Sequence, residues 1–107
     1  MAKEQLHIRL IENRELLPDE VGQAVALPVG RQLCIRVRVT SAGSAGQLSF
    51  EQAAINESAA YESVGSAVNL TGSGGVQYTT DRLTYLRHKT DSNVSGSPFA
   101  TVDVITK

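Results

Sequence analysis

The side chains able to do acid–base, nucleophilic or metal chemistry are few and far apart. His7, His88 and Cys34 are the only histidines and the only cysteine among 107 residues, and no CxxC or HExxH spacing joins them. A structural zinc takes four such ligands and a catalytic zinc three, so no metal is expected. Both histidines read as surface-facing strand residues. No GxSxG elbow presents a serine, and a triad built from distant residues would have only two candidate bases. Asp19, Glu20, Asp81, Asp91 and Asp103 are scattered without the spacing of a calcium loop and read as solvated turn residues. Gly72-Ser73-Gly74-Gly75 lacks the Lys-Ser/Thr of a phosphate loop and reads as a turn. No catalytic residue, cofactor or metal is expected, and the chain is read as a binding protein, not an enzyme.

Binding chemistry has more to draw on. Arg36, Arg38 and Arg87 fall in strand-like segments; if they share a wet face, they form a positive stripe suited to acidic groups on a partner protein. Leu16-Leu17-Pro18 is either an exposed docking element or a buried plug at one end of the domain. Leu16, Leu17, Arg36, Arg38 and Arg87 are therefore the candidate protein-interaction residues. Tyr61, Tyr78 and Tyr85 can supply a stacking platform or fill the core, and with five aromatics and no Trp the core has the stronger claim. The Asn-x-Ser/Thr triplets at Asn56, Asn69 and Asn93 match a glycosylation acceptor only formally.

These residues must be carried by strands. Leu6, Ile8 and Leu10 alternate with His7, Arg9 and Ile11, and Leu33, Ile35, Val37 and Val39 alternate with Cys34, Arg36, Arg38 and Thr40. In residues 99–106, Ala100, Val102 and Val104 share one face and Phe99, Thr101, Asp103 and Ile105 the other. Residues 24–29 read as a short strand that Pro28 either places at an edge or makes partial. Residues 47–54 return from the 41–46 turn as the second arm of a hairpin with the 32–40 strand. Residues 53–64 could be scored as a short helix but read better as strand, turn, strand between flanking strands, and short strands are expected at 67–70 and 76–79. Leu83, Tyr85 and Arg87 alternate with Thr84, Leu86 and His88 in a further strand. Residues 13–20, interrupted by Pro18, read as a long connection. Asn and Gly clusters between such strands suit an all-β fold: a single antiparallel β-sandwich, jelly-roll or Ig-like, of about eight short strands, with residues 1–107 as one domain.

The composition agrees with this. Apolar residues make up 41% and charged residues 20%, with a net charge of -1 and no block of one sign. Nucleic acid and anionic membranes both call for clustered Lys and Arg, so neither is an expected partner. Residues 1–5 carry no apolar signal region, and one cysteine allows no internal disulfide, which fits a chain that stays in the cytoplasm where it is made.

LSFEQAAINESAAYESVG at residues 48–65 and TYLRHKTDSNVSGSPFATVDVI at residues 84–105 resemble small virion domains of tailed phages, with Asn56 in a turn, Tyr85-Leu86-Arg87 in the penultimate strand and Val102-Asp103-Val104 in the last. The resemblance implies a capsid decoration or cement protein, often a trimer, that sits on the virion surface against the major capsid protein. Galactose-binding sandwiches look similar, which implies as the alternative a tail- or fibre-associated carbohydrate-binding module.

Overall fold

The computed structural model describes residues 7–27, 32–79 and 84–106. Among the described residues there are eight strands: β1 (His7–Glu15), β2 (Val25–Ala26), β3 (Leu33–Ser41), β4 (Gln47–Ala53), β5 (Glu62–Asn69), β6 (Gly74–Thr79), β7 (Tyr85–Thr90) and β8 (Phe99–Thr106). They form two four-stranded antiparallel sheets, in the orders β1-β8-β3-β6 and β2-β7-β4-β5.

The pairs β1:β8, β2:β7, β3:β6 and β4:β5 are all present. They are the pairs made by one long hairpin, folded at the β4–β5 turn and rolled up so that successive pairs alternate between sheets. The sandwich is therefore a jelly roll, not an Ig-like fold. The same topology corrects the hairpin expected between β3 and β4. These strands lie in opposite sheets, and the 41–46 segment crosses between them. Close approach accounts for its glycine content: at Gly46, with φ 110°, a Cβ would lie 2.6 Å from Val94 Cα.

Alternation places the core. Leu33, Ile35 and Val37 of β3 and Ala100, Val102 and Val104 of β8 face Leu48 and Phe50 of β4 and Leu86 of β7, all of them buried. Phe50 is fully buried, worth about 3 kcal/mol relative to exposure. Residues 53–64 are strand, turn, strand as expected, with Ser58–Ala60 in a single 3-10 turn. The separate strand expected at 67–70 belongs to the continuous β5. Pro28, Val29 and Leu83 lie outside the described residues, but β2 is an edge strand as expected.

The largest departure from simple alternation is in β1. It runs to Glu15, through what reads as the start of a connection, and its register against β8 shifts twice, between Arg9 and Ile11 and between Ile11 and Arg14. A β-bulge adds a residue and turns the following side chains to the other face. The first shift buries Ile11, expected opposite Ile8, at 3% exposure. The second contains Asn13 at φ 41°, a left-handed conformation that Asn tolerates better than most residues. It brings Arg14 opposite the inward-facing Ala100.

Candidate protein-interaction surface

Among the described residues, two carboxylates each gather a histidine and an arginine, one between the sheets and one on an outer sheet face. The first closes the side of the sandwich where β1 stands over β2. Residues 16–24 connect these strands along β7: Asp19 N donates to Asp91 O, Thr90 N to Glu20 O, and Gly22 N to His88 O. This path sets the Glu20 carboxylate between the two sheets. Arg14, turned inward by the bulge, donates to it twice, at 3.0 Å to Oε1 and 2.6 Å to Oε2. From the other sheet His88 Nε2 lies 2.5 Å from Glu20 Oε2. The hydrogen bond from Arg14 is the main cause holding the Glu20 carboxyl down at about 2, with His88 and the Leu17 N–H adding and burial opposing. An ionised carboxylate only accepts, so His88 is the donor.

The imidazole is fixed on its other side as well. A Cβ at Gly22 would overlap the His88 ring, so only glycine lets the connection pass this closely. A cleft of about 660 Å³ opens beside the cluster, lined by Arg9, Leu10, Arg14, residues 20–25 and His88. Among the described residues no Ser, Thr, Cys, Lys or Tyr lines it. The arrangement locks a histidine from one sheet and an arginine from the other onto one carboxylate and so joins the sheets. His88, expected at the surface, is thus a correction: it is 6% exposed, because it shares the inner face of β7 with Leu86 and Thr90.

The second centre lies on the outer face of the β1-β8-β3-β6 sheet. Asp103 Oδ1 accepts from Arg9 Nε at 2.8 Å and lies 2.9 Å from His7 Nε2, and Asp103 Oδ2 accepts from Arg9 at 3.4 Å. The Arg9 hydrogen bond chiefly holds the Asp103 carboxyl below its usual value, and burial opposes it. Arg36 sits across β3 in register with Asp103, and Arg38 with Thr101. Both arginines are exposed. His7 is exposed as expected, while Asp103, expected in solvated surroundings, is 9% exposed.

The other expected interaction residues separate. Arg87 is not part of this stripe: β7 places it on the outer face of the opposite sheet, where it donates to Glu51 at 3.0 Å and lies 3.7 Å from the Tyr61 ring centroid. Among the described residues, the arginine that does share the face with Arg36 and Arg38 is Arg9. Alternation with Ile8 marks Arg9 as outward, since both register shifts follow it, but does not say that β1 joins the sheet of β3. Leu16 is the buried plug, 1% exposed, with its N–H on Pro98 O, so it is unavailable as a surface contact. Leu17 is 53% exposed. Tyr61 and Tyr85 are half-buried outside the core cluster, contrary to the expectation that they fill it. The side chain of Tyr78 lies outside the described part. Among the described residues no three His, Cys, Asp or Glu side chains group as metal ligands.

Fold and site together define a jelly-roll β-sandwich with one clasped side and a cationic sheet face. No known protein family and no curated protein matches the sequence. The fold is similar to that in the crystal structure of SPBc2 prophage-derived protein YomS, with a TM-score of 0.64 at 11% identity, covering 99% of this chain and 96% of that one.

Proposed function

We propose that the protein is a structural component of a tailed-phage particle, a decoration protein that binds the outer surface of the head and stabilises it. The observation that carries this reading is the fold shared, over nearly the full length of both chains, with a prophage-derived protein. Fold alone does not specify function, and the surface gives the reading its further support. The clasp across one side makes the sandwich a rigid body that loses little ordering entropy on docking, and a symmetric oligomer, here a trimer, multiplies modest contacts into avidity. Arg9, Arg36 and Arg38 suit an acidic surface on a major capsid protein. Particles assembled with and without the protein test this directly. Occupancy of the head and a higher disruption temperature are expected when it is present; unchanged stability with no occupancy overturns the reading.

One observation favours the carbohydrate-binding alternative: Tyr61, Tyr85 and Arg87 share the outer face of the β2-β7-β4-β5 sheet. Glycan-array binding lost on Tyr61→Ala would put that reading first.

A further inference from the structure

Four strands end the two sheets, and three of them interrupt the row of backbone groups that an edge presents. β1 carries two register shifts, β2 is two residues long, and β5 shifts against β4 near Gly65, which takes φ 64°. β6 has none of these features. Its sequence, GGVQYT, contains no charge and no proline, and it pairs with β3 through six residue pairs without a shift. Natural sheets guard their edges with bulges, charges or prolines because a bare ladder is a template for another strand.

The register shows which groups of β6 point away from β3 and have no backbone partner among the described residues. Val39 N donates to Ser73 O at 3.0 Å, one step beyond the Arg38–Gly74 pair. Bonded and non-bonded pairs alternate along an antiparallel ladder. Gly75, Gln77 and Thr79 therefore exchange bonds with β3, while the N–H and C=O groups of Gly74, Val76 and Tyr78 face away from the sheet.

Beside this edge stand Arg36, opposite Val76, and Arg38, opposite Gly74. Neither has an ion-pair partner among the described residues, and the nearby acid, Asp103, is already held by His7 and Arg9. Gly74 places no side chain between Arg38 and an incoming strand. Val76, 44% exposed, offers apolar contact, and a Cβ built at Gly75 meets nothing within 4 Å, leaving room on the inner side.

We propose that β6 receives an extended acidic segment of a partner protein as a fifth strand of the β1-β8-β3-β6 sheet. The backbone of that segment bonds Gly74, Val76 and Tyr78, and its outward carboxylates meet Arg36 and Arg38. Charge complementarity selects this occupant over a second copy, because pairing β6 with its own counterpart would gather four arginines on one face with no acid added. The inference concerns the chemistry of the partner and stands whether or not that partner is a capsid subunit.

Peptides of about eight residues, alternating Val with Glu or Val with Lys, are titrated into the protein and followed by amide NMR. The Glu peptide is expected to bind with a Kd of about 1 mM or tighter and the Lys peptide at least tenfold more weakly, by about 1.4 kcal/mol or more. Amide exchange should slow at Gly74, Val76 and Tyr78. Val76→Pro removes only an outward N–H, so binding should be lost while the thermal transition holds. Arg36→Glu with Arg38→Glu gives a second variant that should reverse the peptide preference. Weaker or no binding of the Glu peptide, equal binding of both peptides, or binding that survives Val76→Pro in a folded protein overturns the proposal. Slowed β6 exchange without peptide, accompanied by dimers in sedimentation, also overturns it and assigns the edge to a second copy.

Discussion

The two long sides of the sandwich solve the same problem in opposite ways. Where β1 stands over β2, both edges are irregular, and Glu20 holds Arg14 from one sheet and His88 from the other. Where β6 stands over β5, no ion pair joins the sheets among the described residues, and β6 keeps a regular, uncharged edge. The first side spends its charges internally. On the second, Arg36 and Arg38 remain unspent beside a bare ladder, so stability and recognition are separated across the width of one small domain.

The comparison can be tested by substitution. Val37, 2% exposed on the central β3, belongs to neither side. Val37→Asp buries an unpaired charge and should leave the chain unfolded by circular dichroism. A folded variant would show that the core shared by both sides is misplaced. Glu20→Ala strips the clasp and leaves His88 buried without its acceptor. A loss of about 2 kcal/mol is expected, discounted for the half-exposed Arg14, or a fall of roughly 10 °C in Tm.

The acid limb sharpens the same point. The folded-state value of Glu20, about 2, lies below its ordinary 4.5. Its contribution is therefore complete above pH 4.5 and is lost as pH falls through about 2. Urea titrations across that window should show the wild-type advantage over Glu20→Ala shrinking with acidity; a constant gap would mean that the carboxylate charge is not what holds the clasp. On the open side, Val76→Lys should change stability by no more than about 0.5 kcal/mol. A larger loss in the same titrations would show that β6 already has a structural partner.

Much of this was legible in the residues. Leu33, Ile35 and Val37 alternate cleanly, as do Ala100, Val102 and Val104, because a half-buried strand writes its two faces directly into the sequence. The clasp was not legible, since it depends on backbone shifts that break the period. Without the bulge at Asn13, Arg14 would have no path to Glu20. His88 carried a readable sign: two residues from Leu86 on one strand, it had to share that buried face. Arg87 shows what alternation leaves open. Alternation assigns a residue to a face of its own strand, but only the rolled-up strand order tells which sheet that strand joins.

That strand order also governs how the protein reaches this state. β1 pairs with β8, with His7 opposite Ile105, so the first strand has no sheet partner until the last has been made. Such distant pairing must be closed before it is rewarded, and domains built this way fold on the order of milliseconds to seconds. During synthesis the β1 segment waits with Ile8 and Ile11 uncovered, and it can join its sheet only once β8 has been made.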